Sequence, residues 1–191
     1  MFGLGTIINV SAIIVGGLLG LIFGRLIKDR QREALTKACG LAVIFIGAAG
    51  ALSKMFSVAD GKIVYGGDFL IIGALALGAL VGEIINIEGG FERFGAWLKV
   101  RTHSTGDGNF IEGFVSASFT VCIGAMAIVG SINDGLYGDY TILVTKSILD
   151  CIIVMTMAAS LGKGAIFSAI PVAILQGGVT ALSVLIKPIM T

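Results

Sequence analysis

Lys146 and Asp150 are the residues of this sequence best placed to do chemistry, because both fall inside the long apolar run YTILVTKSILDCIIVMTMAASLG. Their i, i+4 spacing puts an amine and a carboxylate on one face of a helix. A single ionised side chain at the centre of a bilayer costs at least about 2.5 to 3.5 kcal/mol on insertion scales, so such groups face a bundle interior or a water-filled cavity. That points to a pathway for an ion or a small polar solute. The competing reading is structural, an ion pair that neutralises itself within one helix. Other polar residues reach comparable depths in neighbouring apolar runs: Gln176, Thr120 with Ser118, and Asn9 with Ser11. At a rise of about 1.5 Å per residue, Asn9 and Ser11 come level with Lys146. Pro171 deprives the carbonyl of Phe167 of its usual helical partner and is expected to break or kink its helix. A carbonyl freed beside polar groups can coordinate a cation, as in broken transporter helices. Glu83, near the inner end of its run, is either a gate residue or a carboxylate snorkelling to the interface.

Several other chemistries lack their parts. His103 is the only histidine, so a His-based metal site or proton relay has nothing to build on. The three cysteines, Cys39, Cys122 and Cys151, lie far apart inside apolar runs and read as small packing residues. The stretch HSTGDGN is no phosphate-binding loop, since no Lys-Ser or Lys-Thr follows its glycines. Ser147 neighbours Lys146 around the helix instead of facing it, so no Ser-Lys dyad is apparent and no enzyme is expected. No cofactor or metal is expected either. A net charge of +1 gives no reason to expect nucleic acid as a partner.

These residues must be held by helices in a membrane. Of 191 residues 56% are hydrophobic, only 13% are charged and the mean hydropathy is +1.01, whereas soluble domains carry about 25% charged residues. Spanning a bilayer takes about 20 apolar residues in a helix, the only single-segment structure that satisfies its own backbone in lipid. Six stretches qualify: Leu4 to Gly24, Leu35 to Phe56, Asp68 to Ile87, Gly113 to Ile132, Tyr140 to Gly162 and Gly164 to Ile186. The expectation is an all-α, multi-pass bundle forming one integral membrane domain over residues 1–191, with the first span retained. Arg25, Lys28, Arg30, Arg32, Lys37, Arg93, Lys99, Arg101 and Lys163 fall on one side, against Lys54, Lys62 and Lys187 on the other. The basic side is the cytoplasmic one, which places both termini outside. Between spans three and four, Phe91, Phe94, Trp97 and Leu98 recur at helical spacing opposite Glu92, Arg93 and Lys99, as in an amphipathic helix on the cytoplasmic surface. The turn-like run Ser131 to Gly135, with Asp139, is expected to form an acidic outer loop.

Small residues four apart mark helix faces that can approach closely in lipid. Gly16, Gly20 and Gly24 form one such stripe, Gly78 and Gly82 (with Ala74) a second, and Gly177 lies in a third with Ala169, Ala173 and Ala181. They predict contacts within the chain or between copies, and a homo-oligomer is expected. GGLLG at Gly16 and GALVG at Gly78, followed by Ile46-Gly47-Ala48 and Ile123-Gly124-Ala125, suggest a duplicated hairpin over 4–56 and 68–132, with a third hairpin over 140–186.

The opening GTIINVSAIIVGGLLG, the run FIEGFVSASFTVCIGAMAIVGSINDGLYGD, KSILD, and FSAIPVAILQGG resemble the bacterial inner-membrane family of unknown function that includes YdfK and YqgA. The resemblance covers nearly the whole chain. It implies a multi-pass inner-membrane protein, described at most as a putative transport protein, and supplies no substrate or site residues. The reading is therefore a transporter or channel for an ion or small polar solute, with a non-transporting oligomeric scaffold or regulator as the rival. A charge pair opening on a hydrated cavity favours the first; a sealed pair favours the second.

Overall fold

The computed structural model describes residues 3–24, 28–59, 62–104 and 106–190. Arg25 and Thr191, and the side chains of Arg32, Cys39 and Lys54, lie outside the described residues. The chain is an all-α bundle. Its helices are α1 (Leu4–Phe23), α2 (Asp29–Met55), α3 (Asp68–Ile85), α4 (Ile87–Arg101), α5 (Phe110–Cys122), α6 (Ala125–Tyr137), α7 (Thr141–Leu161) and α8 (Ala169–Met190). Strands β1 (Phe56–Ala59) and β2 (Lys62–Tyr65) form an antiparallel hairpin between α2 and α3. The segments Leu4–Phe23, Glu33–Leu52, Thr141–Leu161 and Lys163–Pro188 are each long and apolar enough to cross a membrane. Two pairs qualify only together, α3 with α4 and α5 with α6, bent by 45° and 58°, so that four segments, or six if each bent pair is one span, are long and apolar enough to cross.

The centre of the bundle is the parallel pair α1 and α7. A Cβ added at Gly16 would collide with the carbonyl of Cys151, one at Gly20 with the carbonyl of Met155, and one at Gly24 would meet Ala159. The stripe of small residues thus brings two backbones into direct contact, as packing in lipid requires. The other two stripes behave differently. An added Cβ at Gly78 or Gly177 meets nothing within 4 Å, and one at Gly82 only the tip of Ile87. Those positions make no close helix contact inside the chain. Around α1 and α7 stand α5, α6 and α8, with Ile13, Val121, Val154 and Val172 fully buried among Ala117, Ala158, Ala165 and Ala169.

Span four differs most from the expected continuous helix. It breaks at Ile123 and Gly124, whose backbones are extended (φ −85°, ψ 92° and φ −172°, ψ 142°), and α6 then runs on to Tyr137 through the residues expected to form an acidic loop. Asp134 is consequently a fully buried helix residue. The expected break at Pro171 is displaced as well. Span six opens with a 3₁₀ turn at Lys163–Ser168, and α8 starts at Ala169. Pro171 stands in the first turn of α8, where its fixed φ suits a helix and its ring interrupts no turn of α8 itself.

The aromatic face of α4 packs on α5. Phe91 lies 5.0 Å from Phe119 and Phe94 lies 5.7 Å from Phe114, between ring centroids, while Leu98 joins Phe110 and Phe114. The two helices therefore run antiparallel. Trp97 stacks on Phe94 and remains exposed.

Candidate functional site

Lys146 and Asp150 point into the bundle from one face of α7, with 5% and 3% of their surface exposed. The Lys146 ammonium donates to both carboxylate oxygens of Asp150, at 2.7 and 2.5 Å, and to the carbonyl of Val121 at 2.8 Å. That carbonyl is available because α5 ends at Cys122, so it belongs to the last turn and lacks an intrahelical donor. The negative end of the α5 dipole also favours a cation there. From α1, the Asn9 side-chain amide donates to Asp150 Oδ2 at 3.0 Å. Three helices, α1, α5 and α7, thus converge on one buried charge pair, and the break between α5 and α6 supplies a ligand to it.

The layer is incompletely satisfied by the chain itself. Asn9 Oδ1, Ser118 Oγ and both amide atoms of Gln176 are buried without a hydrogen-bond partner. Gln176 is one helical turn beyond Val172 on α8, which runs antiparallel to α7, and Asp150 is one turn before Val154. Since Val172 and Val154 share the core cluster, Gln176 and Asp150 fall on the same side of it. A buried polar group left unpaired costs about 1 to 3 kcal/mol.

The other expected site residues are elsewhere. Thr120 is exposed on the opposite face of α5 and donates to the carbonyl of Ser116, so Ser118, two residues earlier, is the one that points inward. Ser11 is exposed too. Pro171 is buried but lines an apolar groove of about 490 Å³ with Asn86, Phe91, Phe94 and Cys122, and makes no hydrogen bond to the charge pair. Glu83 is exposed near the end of α3, a helix that has no extended packing against the rest of the chain. The sequence reading missed Asp134. Its Oδ2 accepts the N–H of Gly5 at 3.0 Å, while its Oδ1 and the hydroxyl of Thr6 have no partner. Asp139, by contrast, stays on the surface. It accepts from the hydroxyl and the N–H of Thr141, at 2.6 and 3.0 Å, and these bonds hold its carboxyl below the usual carboxylate range.

Apolar crossings, a broken span and a buried charge pair define a multi-pass membrane protein with a polar interior. Residues 4–191 match the family described as "Protein of unknown function (DUF554)", and the chain belongs to it. It is 33% identical over 175 residues to "Uncharacterized membrane protein YdfK" of Bacillus subtilis, covering 92% of this chain and 70% of that one. It is 31% identical over 192 residues to "Uncharacterized protein YqgA" of Escherichia coli, covering 98% and 77% of the two chains. No solved structure matches it.

Proposed function

We propose that the protein carries an ion or small polar solute across the bacterial inner membrane through the layer built on Lys146 and Asp150. The observation that supports this most is the combination of a buried ion pair with a discontinuous helix whose terminal carbonyl binds the ammonium. Discontinuous helices in transporters use freed backbone groups near the bilayer midplane in this way. The sealing of the pair favours the rival reading, a scaffold. Against that, a purely structural pair needs no further polar atoms around it, and here Ser118, Gln176 and Asn9 present buried groups that the chain does not satisfy. An occluded site, closed to both sides, accounts for both features. A hydrolytic role is not proposed, because the Ser147 hydroxyl donates to the Val144 carbonyl on its own helix at 2.7 Å.

The test is ion flux and solute uptake in proteoliposomes, comparing the unmodified protein with Asp150→Asn and Lys146→Met. Both variants should lose most of the flux, and unchanged rates in both would remove this layer from the mechanism. The scaffold reading is favoured by the open Gly78 stripe of α3, which no helix of the chain covers closely. It requires that Gly78→Leu abolish self-association while Asp150→Asn leaves the cellular phenotype intact. Gly20→Leu does not distinguish the two readings, since that position lies against the backbone of α7 within one chain.

A further inference from the structure

The carboxylate of Asp134 is fully buried on α6, yet among the described residues it has no cationic partner. Its one hydrogen bond comes from the N–H of Gly5 in the first turn of α1. That bond caps a helix and accounts for Oδ2. It leaves Oδ1 without a partner, and it leaves the hydroxyl of Thr6, the next residue of α1 and 92% buried by its 8% exposure, without one as well. Two buried oxygens from two helices are thus orphaned, one on the carboxylate and one on the residue that follows its donor. Helix α8 packs on the same stretch of α6. Thr180 of α8 donates to the carbonyl of Ser131 at 3.3 Å, and its own carbonyl comes within 2.7 Å of where a Cβ on Gly135 would be. No ionisable side chain is present on α1, Lys146 of α7 is bound by Asp150 and Val121, and the one lysine of α8, Lys187, stands a turn beyond Ser183, which meets Gly135, and forms no hydrogen bond with Asp134 Oδ1. A carboxyl buried in such a place can carry its charge only together with a countercharge.

We propose that Asp134 and Thr6 bind a monovalent alkali cation. Oxygen donors alone suit a hard cation, and a single carboxylate balances one positive charge, where calcium sites gather several acidic ligands. Among the described residues no three His, Cys, Asp or Glu come together as a transition-metal site would need. The site is one helical turn from Asn9 along α1, about 6 Å at the usual rise, and so lies next to the Lys146 and Asp150 layer. Binding here does not require that the protein transports anything.

The detergent-solubilised, full-length protein should be melted in sodium, potassium and choline chlorides at matched ionic strength. A bound cation stabilises the fold by mass action, so the midpoint should rise by about 5 to 10 °C in sodium or potassium at a hundredfold excess over Kd, relative to choline. Asp134→Asn should abolish the difference between salts. If that variant does not fold, Thr6→Val carries the test, because it keeps the carboxylate and should raise the apparent Kd about tenfold through the lost ligand. Equal midpoints of the unmodified protein in all three salts overturn the proposal, as does a cation response that both substitutions leave unchanged. A cation response without any flux in proteoliposomes would remove the transport reading and leave this site standing.

Discussion

At the scale of single residues, Lys146 and Asp150 are held less by each other alone than by the set of partners around them. The ammonium has three acceptors and the carboxylate has two donors, Lys146 and Asn9, all in the interior. Removing one member of a buried pair leaves an uncompensated charge and costs about 3 to 5 kcal/mol, whereas removing both with apolar groups of similar size is often neutral. Lys146→Met should therefore destabilise the protein by that amount, and Lys146→Met with Asp150→Leu by clearly less than the sum of the single changes. Chemical denaturation of the four proteins in mixed micelles gives the coupling directly, and additive effects would mean that the two charges do not stabilise each other. The amine and acid were legible in the sequence because charge inside an apolar run has few explanations. Which neighbours join them was not. Span four is apolar on every side, so its sequence does not say whether Ser118 or Thr120 turns inward, and two residues on a helix differ by more than half a turn. Asp134 was hidden by its context, since Ser-Ile-Asn-Asp-Gly has the composition of a surface turn.

Helices are the scale at which length and hydropathy speak most clearly, and the ends of α1, α3 and α7 fall within a residue or two of the expected spans. The breaks fall where no strong signal stands. Gly124 has an extended backbone that any residue adopts, so the bend in span four does not depend on a glycine-only conformation. Proline, the usual sign of an interruption, instead opens α8 at Pro171. The glycines of α1 matter for a different reason, the absence of a side chain between two backbones. Gly20→Ala places a methyl against the carbonyl of Met155 and must push α1 away from α7. The expected cost is about 1 to 3 kcal/mol, typical of overpacking. Gly124→Ala, with open space around the added carbon, should change stability by no more than about 0.5 kcal/mol. Thermal melts of the two variants test the contrast, and a tolerated Gly20→Ala would show that the α1 and α7 contact is looser than the geometry requires.

Across the whole molecule, the helix contacts fix which segments share an end of the bundle. Gly5 meets Tyr140 and Leu143, and Gly135 meets Ser183, so the start of α1, the start of α7 and the far part of α8 lie together. Gly24 meets Ala159, Gly164 meets the Phe110 backbone, and Leu98 packs on Phe110, so the other end gathers the loop after α1, the end of α4 and the turn between α7 and α8. Lys28, Lys99, Arg101 and Lys163 all belong to that second end. Basic residues in short loops resist translocation, so we propose that this end is the cytoplasmic one and the Asp134 end the outer one. Asp139 then faces outward beside the proposed cation site, a negative charge that raises the local cation concentration at that end. A reporter fused after Thr191 and active only in the cytoplasm should stay silent, while one active only outside should respond. If the cytoplasmic reporter responds instead, the bundle is inverted, Asp134 and Thr6 face the cell interior, and any cation they bind is drawn from the cytoplasm.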